Sequence, residues 1–159
     1  MAVLIAYATK HGMTEKCAKT LQTVLPGGAD VVNLKDRTPN LQKYDTVILG
    51  ASVYAGMPRK QIKAFVANHA AELKKKKLGL FLCCMAGGEQ AEKQLDAAFT
   101  SELRQAALAQ GVLGGGFNTS HMNFIEKFAV EKISGKKVED SFTLHEDVME
   151  AFAKAFGQV

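Results

Sequence analysis

The apolar positions of this 159-residue chain alternate between short unbroken runs and longer stretches spaced as on one face of a helix. Residues 3–8, 31–34, 46–52 and 78–85 read as strands, and 111–117 as a fifth that carries a Gly114-Gly115-Gly116 run. The first, third and fourth are almost wholly apolar, as expected of parallel strands covered on both faces. Between the first two, Cys17, Ala18, Leu21, Val24 and Leu25 form the inner face of a helix over 14–25, closed by Pro26-Gly27-Gly28. Pro58 opens a second helix with Ile62, Phe65, Val66 and Leu73 inward. Leu95, Phe99, Leu103 and Ala107 recur every four residues in a third, which Gly111 stops. The last helix starts with a capping box of Thr143 and Glu146, and its inner face is Leu144, Val148, Phe152 and Phe156.

Alternation of this kind implies one α/β domain spanning 1–159, a parallel sheet with helices on both faces. Right-handed crossovers and five strands suit the doubly wound order 2-1-3-4-5. Residues 118–142 break the alternation and are too many for an ordinary loop, so they read as an insertion with a purpose or structure of their own. Phe124, Ile125, Phe128, Ala129 and Ile133 allow a short amphipathic helix there, interrupted by Lys132. A lid packed on the domain's own core is favoured over a membrane- or partner-binding helix, with peripheral membrane contact through residues 121–137 left open.

Composition narrows the function classes. With 47% hydrophobic and 23% charged residues the chain reads as ordered and globular. The apolar start lacks a basic flank and a small-residue cleavage site, so it reads as a buried first strand and not a signal peptide. No apolar run approaches the roughly 20 residues of a transmembrane helix. Cys17, Cys83 and Cys84 form no CxxC and have no His at zinc spacing, so no metal site is expected. Their odd number suits a reducing compartment, the cytoplasm, and the adjacent pair reads as small buried hydrophobes rather than a redox couple. The net charge of +4 centres on Lys74-Lys75-Lys76-Lys77, read as the solvated end of a helix. Nucleic acid is not an expected partner, because no exposed aromatics interleave with the basic residues.

The candidate chemistry lies after the first strand, in Tyr7-Ala8-Thr9-Lys10-His11-Gly12-Met13-Thr14-Glu15. A phosphate needs several converging donors and no bulky side chain in the way. Free N–H groups at a helix start supply them, and the helix dipole adds attraction. The Thr9 and Thr14 hydroxyls with the N–H groups from Lys10 to Thr14 suit one monophosphate, and Gly12 allows the turn. Neither a GxxxxGK[ST] loop nor GxGxxG is present. Taken alone, Thr14 could equally be the cap of the first helix.

This run resembles the phosphate loop of flavodoxins, a Thr/Ser-rich turn ending in Thr-Glu at a helix start. The resemblance extends over nearly the whole chain and implies a flavodoxin-like three-layer sandwich that binds FMN, with Thr9, Lys10, His11, Gly12, Met13 and Thr14 about the phosphate. Gly50-Ala51-Ser52-Val53-Tyr54-Ala55-Gly56-Met57-Pro58 falls where flavodoxin-like proteins place their first flavin-flanking loop. A flavin ring wants an aromatic or aliphatic face and backbone groups near N5 and the pyrimidine edge. Ala51, Ser52 and Val53 lead into that loop, Tyr54 is its stacking candidate, and a flexible Ala55-Gly56 peptide can turn its carbonyl toward a protonated N5. The second flanking loop corresponds to Met85, Ala86, Gly87 and Gly88, where flavodoxins often carry an aromatic. None stands here, which leaves a more open or aliphatic face at Met85.

Among flavodoxin-like proteins, the basic charge, the Gly50-Ala51-Ser52 segment with Tyr54 and Gly56, and the insertion before the last helix are similar to the menaquinone-dependent protoporphyrinogen dehydrogenase type. Phe124-Ile125-Glu126-Lys127-Phe128 through Ser134-Gly135-Lys136-Lys137 looks like a reduced version of that insertion, and the tyrosine stands one place early. The resemblance leaves two classes. The first is a non-catalytic carrier that transfers electrons through bound FMN to a redox partner protein. The second is a quinone-dependent enzyme of haem biosynthesis that oxidises protoporphyrinogen IX. In both the flavin does the redox chemistry, and no catalytic side chain is assigned.

Overall fold

The solid apolar runs become the interior of one sheet, because only a strand sandwiched between helices can bury both of its faces. The structure, a computed structural model, describes residues 2–9, 12–54, 57–84, 88–117 and 141–157. Its strands are β1 (Val3–Ala8), β2 (Asp30–Asn33), β3 (Thr46–Tyr54), β4 (Met57–Pro58), β5 (Lys77–Cys83), β6 (Ala109–Phe117) and β7 (Ser141–Leu144). Its helices are α1 (Met13–Val24), α2 (Lys60–Leu73), α3 (Gly88–Ala98), α4 (Ser101–Ala106) and α5 (Glu146–Lys154). The strands lie side by side in the order β2-β1-β3-β5-β6-β7, with β4 folded back on the end of β3. The first five of these are parallel and reproduce the expected doubly wound order. The expected count of five is exceeded by the edge strand β7, which runs antiparallel to β6, and by the two-residue return β4.

Period-two alternation divides the core. Leu4, Ala6 and Ala8, Val47 and Leu49, and Leu78, Leu80 and Leu82 face Ile62, Phe65, Leu73, Leu95, Phe99 and Leu103 of the α2–α4 layer. Ile5 and Tyr7, Ile48, Phe81 and Cys83 face Cys17, Ala18, Leu21, Met149, Phe152 and Ala153 of α1 and α5. Each fully buried Leu, Ile or Phe contributes roughly 1.5–3 kcal/mol against leaving it in water. Gly50, paired with Phe81, and Gly79, against Phe152 and Phe156, make room for these rings.

Five local expectations are corrected. The helix over 95–107 is two helices, because the Thr100 hydroxyl accepts from the Leu103 N–H and caps a fresh start, α4. Arg104 of α4 then ties the pieces together by pairing with Glu92 and Asp96 of α3. Pro58 does not open α2: it lies in β4, and α2 begins at Lys60. The last helix has no capping box, since Thr143 pairs with Gly115 in the sheet and His145 is the N-cap. Its buried face is Met149, Phe152 and Ala153, and Val148, expected inside, is 41% exposed. Ser141 and Phe142, expected in the insertion, belong to β7; residues 118–140, with the amphipathic stretch at 124–133, lie outside the described residues. Among the described residues no helix is long and apolar enough to cross a membrane.

The connection leaving β1 goes to the α1 face, and the one leaving β3 goes to the α2 face. A crevice therefore opens between these two adjacent strands, beyond their carboxyl ends.

Candidate functional site

Thr9 follows the end of β1, and its Oγ1 accepts the Gly12 N–H at 3.0 Å, folding the loop back on itself. Gly12 then caps α1 with φ 85°, a left-handed conformation that side-chain-bearing residues rarely adopt. The first intrahelical bond runs from the Lys16 N–H to the Gly12 carbonyl at 3.2 Å. The N–H groups of Met13, Thr14 and Glu15 precede that bond and are ones the helix itself leaves unpaired, and among the described residues no side chain caps it. These are donors at the positive end of a twelve-residue helix dipole.

Two hydroxyls stand out at this end of the sheet. Thr14 is fully buried, yet its Oγ1 has no hydrogen-bond partner among the described residues. Ser52 Oγ, two residues before the end of β3, is likewise buried and unpartnered among the described residues. Ala51 pairs with Ala8 and Ser52 with Cys83, so Ser52 lies one step beyond the end of β1. Strand alternation directs it to the α1 side of the sheet, with Ile48 and Gly50. A buried hydroxyl without a partner costs about 1–3 kcal/mol. Two at one edge, beside free helix N–H groups, form a polar cradle that an anion with several acceptor oxygens satisfies. Such a donor set fits the phosphate of FMN.

Glu15 puts a negative charge in the same first turn, and the fold turns it aside. It accepts the Tyr7 hydroxyl at 2.9 Å and lies 3.5 Å from Lys19. Burial and then this bond to Glu15 hold the Tyr7 phenol protonated well above its usual range.

The remaining expected residues are placed unevenly. Ala51 is buried, Ser52 and Val53 are half-buried, and all three belong to β3 rather than to a loop. The backbone of Tyr54 ends β3 and pairs with Met57, so both flanks of the expected loop belong to strands. Gly88 opens α3 with φ 55°. Lys10, His11, Ala55, Gly56, Met85, Ala86 and Gly87 lie outside the described residues, as does the side chain of Tyr54. Thr9, Gly12, Met13 and Thr14 thus follow the end of β1 beside Ser52, while Ala51 faces the α2–α4 layer. The orphan state of the Thr14 and Ser52 hydroxyls had no sequence signal, since it depends on what packs around them.

A separate groove of about 450 Å³ runs between the end of α1 and α5, lined by Val24, Pro26 and Met149 together with Glu146 and Glu150. It lies along the helical flank formed by α1 and α5, and Lys154, which also lines it, lies 3.4 Å from Glu150.

Residues 4–143 match the family model described as the flavodoxin domain. Comparison with curated protein sequences gives no match. Among solved structures, a short-chain flavodoxin associated with a non-canonical PDU bacterial microcompartment superposes with a TM-score of 0.59 at 16% identity, covering 98% of this chain and 97% of that one. A Streptococcus pneumoniae TIGR4 flavodoxin gives 0.56 at 16% identity, covering 98% and 97%. A flavoprotein in complex with FMN from Lactobacillus acidophilus NCFM gives 0.51 at 13% identity, covering 70% and 92%.

Proposed function

The chain belongs to the flavodoxin domain family, and from that premise we propose that it binds FMN at the carboxyl ends of β1 and β3 and transfers electrons through it between redox partners. The observation that carries this reading is the polar cradle: the Met13, Thr14 and Glu15 N–H groups beside the orphaned hydroxyls of Thr14 and Ser52. Thr14 would donate its hydroxyl proton to a phosphate oxygen, and the helix N–H groups would take the others. Thr9 spends its acceptor capacity on Gly12 and so keeps the loop in the conformation that frees these donors. Tyr7 and Lys19 hold the Glu15 carboxylate off the phosphate position. Ser52, on the α1 side at the end of β3, is the residue of that strand that would face the bound cofactor, while Ala51 and Val53 pack toward the α2–α4 layer. Bound FMN supplies the redox chemistry.

The protoporphyrinogen dehydrogenase alternative rests on the segment 124–137, outside the described residues, and nothing in the cradle favours it over electron carriage. One experiment addresses the cofactor and the class in turn. Titration of the full-length protein with FMN and, in parallel, with riboflavin measures what the phosphate adds. FMN is expected to bind at least tenfold tighter, and Thr14→Val to remove most of that advantage. Equal affinities, or no retained flavin, would overturn the proposal. Anaerobic reduction of the loaded protein in two resolved one-electron steps supports carriage. A single two-electron step with quinone-linked turnover supports the enzyme.

A further inference from the structure

The sequence reads Cys83 and Cys84 as small buried hydrophobes and Cys17 as part of a helix's inner face, and all three are buried. Their positions go further than that. Cys17 lies in the second turn of α1 and Cys83 is the last residue of β5, 66 positions later, yet their Sγ atoms are 2.8 Å apart. That is well inside the contact distance of two non-bonded sulfurs and less than 1 Å beyond the ~2.05 Å of a disulfide. Cys84, although next in sequence, belongs to the opposite core cluster and faces the α2–α4 layer.

The surroundings are shaped to this pair. The β5–β6 register shifts between Leu82 and Cys83, an irregularity that re-aims the strand's last side chain. Opposite Cys83 stands Gly114, where a Cβ would come within 3.1 Å of Cys17 Sγ and 2.7 Å of the Thr143 carbonyl. Glycine there leaves the space the sulfurs occupy. The Met13 carbonyl, 3.9 Å from Cys83 Sγ, contributes only a weak contact, and the Thr14 hydroxyl also acts on this thiol, with Cys17 Sγ at 2.8 Å its stronger partner.

We propose that Cys17 and Cys83 are a redox-sensitive dithiol that closes to an intramolecular disulfide, tying the second turn of α1 to the carboxyl end of β5 directly beneath the cradle. Only a small movement of the sulfurs is needed, so the fold accommodates both states. Burial first, and the neighbouring Cys17 thiol next, push the Cys83 thiol up, which keeps it protonated and slow toward bulky disulfides. A small peroxide is the oxidant class that fits. One cysteine sulfur attacks a peroxide oxygen as it gives up its proton, the O–O bond breaks, water leaves, and a sulfenic acid forms. The second thiol then displaces the sulfenic oxygen as water and makes the S–S bond. In sum, two thiols and one hydrogen peroxide give one disulfide and two waters. Such reversible bonds in cytosolic proteins serve redox sensing.

The inference concerns the core alone and does not depend on FMN. Its test treats the full-length protein, without added flavin, with limiting hydrogen peroxide, unfolds it, alkylates free thiols and maps tryptic peptides. The expected product joins residues 17–19 to residues 78–93, leaves one thiol open to alkylation, reverts with dithiothreitol and melts at a higher temperature than the reduced protein. Because Cys83 and Cys84 share the second peptide, the Cys84→Ala variant must form the same link and Cys17→Ala must not. Three alkylatable thiols after treatment, a link lost in Cys84→Ala, or sulfinic acids in place of the link would each overturn the proposal.

Discussion

Replacing Gly50 by alanine tests the packing at the centre of the sheet. Gly50 sits in β3 opposite Phe81 of β5, and a Cβ there would fall within 2.6 Å of three atoms of the Phe81 ring. Real side chains do not tolerate such approach, and this ring cannot swing clear: Phe81 is fully buried and packs edge-on against Phe152, with centroids 6.3 Å apart. Overpacking of a tight core costs about 1–3 kcal/mol. Three ring atoms in conflict place Gly50→Ala at the upper end. The smaller entropy of the unfolded alanine chain offsets roughly 0.4–1 kcal/mol of that. A net loss of about 2–2.5 kcal/mol follows, and with a urea slope of roughly 2 kcal/mol/M the midpoint falls by about 1 M. Phe81→Leu removes the conflicting ring atoms and by itself costs about 1–2 kcal/mol in lost burial. The double variant should therefore be less destabilised than the sum of the singles by at least ~1 kcal/mol. Urea unfolding followed by circular dichroism on all four proteins measures this coupling. Additivity within ~0.5 kcal/mol, the behaviour of independent sites, would refute the reasoning.

Other consequences are open to the same measurements. Thr14→Val, besides weakening FMN, should stabilise the flavin-free protein by about 1 kcal/mol, because it deletes an unsatisfied buried hydroxyl; a loss of stability there would show that the hydroxyl is already satisfied. Gly12→Ala forces a side chain onto φ 85° and should cost roughly 1–2 kcal/mol and loosen FMN, both read in one thermal-shift titration. Thr100→Ala removes the cap that separates α3 from α4 and should cost about 1 kcal/mol without touching FMN affinity. At alkaline pH, the Tyr7 phenol is raised by burial and by donation to Glu15, and the Tyr44 phenol by its 2.7 Å bond to Asp30 and by burial. Raised native values mean that the folded protein keeps protons the unfolded chain has released. This stabilisation is complete below about pH 10 and is lost as pH climbs through the native values. Urea midpoints taken between about pH 9 and 11 should therefore fall, and Tyr7→Phe should flatten the decline; an unchanged slope in that variant would count against the assignment.

What the sequence determined by itself was whatever short-range pattern encodes. Solid apolar runs at 3–8, 46–52 and 78–85 can be satisfied only by strands covered on both faces, so the parallel sheet and its order were legible. The Thr-rich turn before α1 was legible too, since hydroxyls, a glycine and a helix start lie within six residues. The tertiary structure decided what depends on distant partners. Leu144, Val148, Phe152 and Phe156 are as well spaced for a helix face as Met149, Phe152 and Ala153; how the helix is rotated against the sheet buries the second set and leaves Val148 exposed. Thr143 offers a good cap in sequence, but the unpaired edge of β6 claims its backbone first. The apolar spacing through 95–107 is unbroken, yet Thr100 caps a second helix whose Arg104 reaches back to α3. The orphaned hydroxyls of Thr14 and Ser52 and the meeting of Cys17 with Cys83 carry no local signature at all. Whether a polar atom is satisfied, or two sulfurs touch, is settled by segments dozens of residues apart that meet only when the sheet assembles.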